Sequence, residues 1–197
     1  MAAYRAALRG SPAAEFVKKR GVLPDSWTSS VLGYSAAGIA ARDHPHDRLV
    51  IAYPTPSGVV DLKFRALDDS RPKYTYAPGT THRLFNTPAL LDNDGTVVVT
   101  EGELDAIIVQ QHTGLHCVSY PGTASWKSFF ARAFAGIDNV IVVGDGDQPG
   151  REAAKTVAGE ISRFADRTRT VMCPEGHDAN SYFLEHGSEA LRQLIDP

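Results

Sequence analysis

Short apolar runs alternate with segments of helical periodicity throughout the second half of the chain. Four runs have the length and β-branched content of buried strands: residues 96–100, 116–120, 139–143 and 168–173. Between them, apolar positions recur at helical spacing over residues 104–112, 125–135 and 150–164. Strands that alternate with helices predict a parallel sheet covered on both faces, so we expect an α/β fold here.

The first half of the chain follows a different pattern, beginning with helix signals. Ser11 is a typical N-cap and Pro12 suits the first helical position, while Gly21 marks the end of that helix. A second short helix is predicted over residues 25–32.

The period changes to that of strands after residue 48. Residues 49–53 and 59–65 flank a Pro-Ser-Gly turn and predict a β-hairpin, and residues 74–86 could add irregular strands. We therefore expect residues 1–92 to form a small basic α+β subdomain. Residues 93–197 are expected to form the four-stranded parallel domain with a C-terminal helix.

Composition adds bounds to this picture. The chain has 197 residues, 43% hydrophobic and 22% charged, which suits one large or two small folded domains. No apolar run approaches a membrane span, and the first residues lack the apolar core of a signal peptide. Cys117 and Cys173 lie far apart in strand-like runs, which favours buried thiols in a reducing cytoplasm. Without a paired-cysteine motif we expect no zinc ribbon and no zinc.

Charge is distributed unevenly between the two halves. Residues 1–92 carry 12 Lys and Arg against 8 Asp and Glu, whereas residues 93–197 carry 8 against 15. A basic half beside an acidic half favours a phosphate-backbone surface next to a metal site. Two solvated surfaces of unlike charge would give the same counts.

Three carboxylates follow strands of the predicted sheet. Glu101 ends one strand, and Asp145 and Asp147 end another. Since sites in parallel sheets form beyond the carboxyl ends of strands, we expect these side chains to converge, with a divalent metal to offset their repulsion. Mg²⁺ or Mn²⁺ suits oxygen ligands, and two ions could share the cluster. Alternatively, Asp145-Gly146-Asp147 is only a polar turn that caps the next helix.

Two further acids have two interpretations each. Asp178 either caps the final helix, as Asn180 also could, or joins the metal ligands. Asp105 lies one helical turn after Glu101, where it either orients the metal site or is an ordinary first-turn acid.

The basic candidates are Lys63, Arg65, Lys73, Arg83 and Arg151. Lys63 and Arg65 are two apart, so they share one face of a strand. Contact with a nucleic-acid backbone or a triphosphate is one interpretation for the set, and a solvated surface is the other. Arg151 follows the paired aspartates, where a helix N-terminus could hold a phosphate.

The seven histidines show no ligand spacing. His44 and His46 flank a proline in a predicted loop and are expected at the surface. His177 is less clear, because it adjoins Asp178.

At this point the sequence resembles a known family. The segments VVVTEGELDA (97–106) and VGDGDQPGR (143–151) resemble the Toprim domain, which DnaG-type primases of bacteria and phages share with topoisomerases and some nucleases. AEFVKKRG (14–21), RLVIAYP (48–54), PKY (72–74) and LFN (84–86) resemble the basic subdomain of the primase RNA-polymerase domain. HDANSY (177–182) resembles the closing motif of these primases, in which a basic residue usually stands at the place of His177.

The resemblance implies a role for each matching residue. Glu101, Asp145 and Asp147 would hold the catalytic metals, with Asp178 joining them and Asp105 supporting the site. Lys63, Arg65 and Lys73 would hold the single-stranded DNA template or an incoming ribonucleoside triphosphate. The implied reaction is nucleotidyl transfer that makes short RNA primers in DNA replication.

Other functions remain open from the sequence. A Toprim nuclease would use the same metals for hydrolysis, although the basic subdomain favours the primase. A non-catalytic single-strand-binding accessory protein is a third hypothesis, which the intact carboxylate set disfavours. The zinc ribbon and helicase-interacting regions usual in such primases have no match here, so a separate helicase or zinc-domain partner is expected, and no membrane partner.

Overall fold

The computed structural model describes residues 1–25, 27–37, 46–122 and 125–196. The chain divides into two compact units, residues 1–81 and 82–197. The sequence placed this boundary after residue 92. The difference arises because Phe85 pairs with Ser119 of the parallel sheet, while Leu84 and Ala89 lie in the core of the second unit.

The first unit joins three short helices to an antiparallel sheet. The helices are α1 (Ala2–Ala6), α2 (Pro12–Lys19) and α3 (Thr28–Val31). The sheet has the order β1 (Leu32–Ser35), β2 (Arg48–Thr55), β3 (Gly58–Ala66) and β4 (Tyr74–Tyr76). Helix α2 confirms the predicted cap: the Ser11 hydroxyl accepts a hydrogen bond from the Ala14 amide at 3.2 Å.

The predicted hairpin is strands β2 and β3. Gly58 follows the turn with φ of 120°, a conformation that favours glycine. Across the hairpin, Ile51 pairs with Lys63 and Leu49 with Arg65, which places both cations on one face of β3 as expected.

The second unit is a four-stranded parallel sheet with helices. Its strands are β5 (Thr96–Thr100), β6 (Cys117–Ser119), β7 (Asn139–Gly144) and β8 (Arg167–Met172), in the order β6-β5-β7-β8. Its helices are α4 (Glu103–Thr113), α5 (Gln148–Ile161) and α6 (Ala179–Ile195). These four strands and three helices match the prediction. Helix α6 is interrupted at Gly187 (φ 84°, ψ 178°).

The core of the second unit lies between β5 and β7 and the elements that cover them. Val97, Val99, Val140 and Val142 are fully buried, and Ile161 packs against this layer from α5. Burying such side chains stabilises the fold by about 1.5–3 kcal/mol each.

One predicted helix has a different form. Residues 125–135 were expected to form an α-helix, but Ser128–Phe134 is a 3₁₀ helix. Phe130 and Phe134 are buried, while Phe129 is 64% exposed. Trp126 precedes this helix, and its indole N–H donates a hydrogen bond to the Glu160 carboxylate at 2.8 Å.

Two further predictions concern the loop histidines and membrane-spanning helices. His46 is half-buried, with its side chain 40% exposed and its Nδ1 3.5 Å from Asp68 Oδ2, while His44 lies outside the described residues. Within the described parts of the chain, no helix is both long and apolar enough to cross a membrane.

Candidate metal centre

Four acidic side chains meet at one edge of the parallel sheet. Strands β5 and β7 are neighbours, with Val99 aligned to Val142. Glu101 directly follows β5 and Asp145 directly follows β7, so the two carboxylates leave adjacent strand ends. The carboxylates converge, as the sequence predicts, because β5 and β7 are adjacent parallel strands that end at the same edge of the sheet.

The electrostatics of Asp145 show how close the acids are. Burial, together with the negative charges of Glu101, Asp178 and Asp147, raises the pKa of the Asp145 carboxyl to about 7. A carboxyl with this pKa is about half protonated near pH 7, and a cation that offsets the repulsion would favour its ionised form. The donor set is all oxygen, which is the chemistry that Mg²⁺ and Mn²⁺ prefer.

Tyr120 belongs to the same site, although no sequence motif marks it and only its position after β6 points there. Its side chain is 1% exposed, and burial with the charges of Glu101 and Asp145 raises its pKa. The phenol therefore stays neutral and lines the carboxylate cluster. Its ring meets Trp126 edge-on, with the ring centroids 5.6 Å apart.

Asp147 and Asp178 are both helix caps, as the alternative interpretation predicted. Asp147 Oδ1 accepts from the Gly150 amide at 2.7 Å at the start of α5. Asp178 Oδ1 accepts from the Ser181 amide at 2.6 Å, and the Ser181 hydroxyl accepts from the Asp178 amide at 3.0 Å, forming a capping box. Each cap uses one carboxylate oxygen, so capping is compatible with a metal contact through the other.

Gly146, between the two aspartates, is required by packing. Its amide donates to the His177 carbonyl at 2.8 Å. A Cβ at this position would overlap the Pro174 carbonyl oxygen. The loop after β7 is thus clamped to the segment that follows β8 and precedes Asp178.

Asp105 orients this region from helix α4. Its Oδ1 accepts from the backbone amide of Asn180 at 3.0 Å, and Asn180 is 1% exposed. Asp105, Asp145 and Asp178 all contribute, after burial, to raising the pKa of Cys173 to about 12. Asp105 therefore ties the start of α6 to α4 within the same acidic cluster. This contact favours a role in orienting the site over that of an ordinary first-turn acid.

The basic candidates of the first unit are not a simple solvated surface. Lys63 and Arg65 are 2% and 8% exposed. Lys63 Nζ lies 4.3 Å from the centre of the Tyr74 ring, and the Arg65 guanidinium lies 4.3 Å from that of Phe16. The solvated-surface alternative is wrong for these two residues, because their charges rest on aromatic faces.

The other three cations are exposed. Lys73 lies beside Tyr74, with its Nζ 5.6 Å from the ring centre. Arg83 precedes the buried Leu84 in the second unit, and Arg151 lies in the first turn of α5. The Arg151 side chain is therefore near the capped helix start, as the sequence suggested.

Known proteins resemble the chain over both units. Residues 98–183 match the Toprim-like family. Gene 57 protein of Mycobacterium phage D29 is 40% identical over 137 residues, covering 70% of this chain and 87% of that protein. The DNA primase of Neisseria meningitidis serogroup A is 26% identical over 165 residues, covering 78% of this chain but only 28% of the primase.

Solved structures agree with the fold. The Aquifex aeolicus primase structure of zinc-binding and RNA polymerase domains has a TM-score of 0.81 at 24% identity, covering 98% of this chain and 57% of that one. A DnaG primase catalytic domain bound to single-stranded DNA has a TM-score of 0.76 at 21% identity, covering 97% and 76%. The chain belongs to the Toprim-containing family of DnaG-type primase catalytic cores.

Proposed function

We propose that the chain is a primase core that synthesises short RNA primers on single-stranded DNA by metal-dependent nucleotidyl transfer. The observation that carries the proposal is the convergence of Glu101, Asp178 and Asp147 on Asp145, whose pKa they raise to about 7 together with burial. Carboxylates that repel one another and shift a pKa this far are typical of a functional site. A divalent cation would offset their repulsion and could bind a phosphate.

Glu101, Asp145 and Asp147 would hold the ions, joined by Asp178. When bound, the divalent ions would stabilise charge on the attacking and leaving oxygens of the reaction, in which a ribonucleotide 3′-oxygen attacks an α-phosphate and pyrophosphate leaves. Toprim and primase domains generally use divalent ions. Mg²⁺ or Mn²⁺, and two ions rather than one, are our proposal for this chain.

The protein's own residues prepare the site. Below about pH 7 most Asp145 carboxyls carry a proton when no cation is bound, so a binding ion would compete with that proton. The Gly146 amide and Asp105 fix the two loops that carry Asp145 and Asp178. Buried Tyr120 excludes water from one side of the cluster.

The cations would act on the nucleic acid and the nucleotide. We assign Lys63, Arg65 and Lys73 to the template or the triphosphate, and Arg83 and Arg151 to neighbouring phosphates. Tyr74, which is 37% exposed, would offer an aromatic face to a single strand, with the charge of the buried Lys63 packed against the same ring. A separate helicase or zinc-domain partner remains a prediction.

The test is an assay with single-stranded DNA, labelled ribonucleotides and Mn²⁺. New oligoribonucleotides that disappear in Asp145→Ala are expected. Degraded template without synthesis would instead indicate a Toprim nuclease, and DNA binding without either product would indicate an accessory role. Glu152→Gln, an exposed acid of α5, is the matched control and should leave synthesis unchanged.

A further inference from the structure

A second group of potential metal ligands lies at the start of α6. It consists of His177, in the loop before the helix, and Glu185 and His186 on the helix. One ligand atom from each lies within 4.8 Å of the others. The sequence showed no ligand spacing among the histidines because His177 and His186 come together only when the loop folds back on the helix.

The distances within this group suit ligands around a shared ion. His177 Nε2 lies 3.7 Å from Glu185 Oε2, and His186 Nε2 lies 3.8 Å from Glu185 Oε1. Both are too long for hydrogen bonds. Two tetrahedral ligands at about 2.0–2.1 Å from Zn²⁺ stand roughly 3.4 Å apart, so each Glu185 contact is within a few tenths of an ångström of that separation. The two imidazole ligand atoms lie within 4.8 Å of each other, so they would approach by up to about 1.4 Å.

The exposure of two of the three side chains leaves them room for that adjustment. Glu185 and His186 are 63% and 40% exposed, whereas His177 is 21% exposed and held by its backbone. Its amide donates to the Pro174 carbonyl at 3.0 Å, and its carbonyl accepts from the Gly146 amide. Among the described residues its Nδ1 is buried without a hydrogen-bond partner, so the polar contact of the ring is at Nε2, which faces Glu185.

We propose that His177, Glu185 and His186 bind one transition-metal ion, with Zn²⁺ as the preferred ion. Two imidazoles and one carboxylate favour Zn²⁺ over Mg²⁺ and leave a position for water. The donors differ from the all-carboxylate set around Asp145. The sequence predicts no zinc because it has no paired-cysteine motif and no ligand spacing among its histidines, whereas these three side chains come together only in the folded chain.

Occupancy would act on the neighbouring acids through the backbone. His177 directly precedes Asp178, and its carbonyl holds the amide of Gly146 between Asp145 and Asp147. An ion bridging His177 to α6 therefore restrains both acidic loops at once. This positioning effect is measurable without any assay of catalysis.

The experiment is Zn²⁺ and Co²⁺ titration of the full chain in excess Mg²⁺. Calorimetry should give one Zn²⁺ per chain, and Co²⁺ should give visible absorption that Zn²⁺ abolishes. His186→Ala and Glu185→Gln should weaken Zn²⁺ binding by about tenfold or more. Because both side chains are largely exposed, these variants should keep their melting temperature without metal.

Two control variants show whether Zn²⁺ binds at His186 or at the carboxylates around Asp145. Glu189→Gln removes another exposed carboxylate of α6, and Asp145→Asn alters the sheet-edge cluster; both should bind Zn²⁺ as the unmodified chain does. Equal binding by His186→Ala and Glu189→Gln would overturn the proposal. So would loss of binding in Asp145→Asn but not in His186→Ala, which would assign the ion to the carboxylates.

Hydrogen exchange supplies a further readout. Zn²⁺ should slow exchange of the Gly146 amide in the unmodified chain and not in His186→Ala. Unchanged exchange in the presence of bound Zn²⁺ would contradict the link to the acidic loops.

Discussion

The amide of Gly146 donates a hydrogen bond of 2.8 Å to the carbonyl of His177. This bond joins the loop after β7, which carries Asp145 and Asp147, to the segment that leads into Asp178 at the start of α6. Two acidic loops far apart in sequence are thereby fixed at one edge of the sheet.

Replacing Gly146 tests that clamp. Gly146→Ala places a methyl group on the Pro174 carbonyl, so we expect a loss of about 1–3 kcal/mol in the free energy of unfolding, with weaker Mn²⁺ binding. Gly159→Ala is the control, since a Cβ there meets no atom within 4 Å in the interior of α5. It should stabilise by about 0.4–1 kcal/mol in the same urea titration. Equal effects of the two changes would rule out the clamp.

The pKa of Asp145 predicts a pH dependence of stability without metal. The carboxyl titrates near pH 7 in the folded chain and near 3.8 when unfolded. Between these values the unfolded state binds fewer protons, so stability should fall as the pH rises from about 4 to about 7 and then level off.

Asp145→Asn removes this titration. The variant should melt higher than the unmodified chain at pH 8 in EDTA and close to it at pH 4. Added Mg²⁺ should raise the melting temperature of the unmodified chain at pH 8 by more than it raises that of the variant. A melting-temperature difference independent of pH would contradict the raised pKa.

Asp178 can be tested as cap and ligand separately. Asp178→Asn keeps an oxygen for the Ser181 amide, whereas Asp178→Ala removes it and should cost about 1 kcal/mol of stability. Both variants should lower the affinity for Mn²⁺, because both lose the charge. If Asp178→Asn binds Mn²⁺ like the unmodified chain, Asp178 is only a cap.

Lys63 provides a test of the nucleic-acid surface. Lys63→Met keeps most of the apolar stem that packs on Tyr74 but removes the charge, so single-stranded DNA should bind more weakly at low salt. The slope of log affinity against log salt should fall in magnitude by about 0.7, the value for one phosphate contact. Lys155→Met, on the exposed face of α5, is the control for fluorescence anisotropy. An unchanged slope in Lys63→Met would remove Lys63 from the binding surface.

The sequence by itself determined the strands of the second unit, their order along the chain and the α-helices between them, except that residues 125–135 were predicted as an α-helix and form a 3₁₀ helix. Apolar runs between helical patterns require a buried parallel sheet, and Glu101 and Asp145 necessarily follow two of its strands. Local rules also gave the Ser11 cap and the hairpin that aligns Lys63 with Arg65. Periodicity and capping depend on near neighbours, so they can be deduced without the fold.

Only the tertiary structure decided the rest. The strand order β6-β5-β7-β8 places Glu101 beside Asp145 and brings Tyr120 to them, and no local pattern encodes which strands are neighbours. The Asn180 amide meets Asp105 because α6 packs against α4, and His177 meets Glu185 because the loop before α6 folds back on that helix. Burial and mutual repulsion, which set the pKa of Asp145, exist only once these distant segments are packed together.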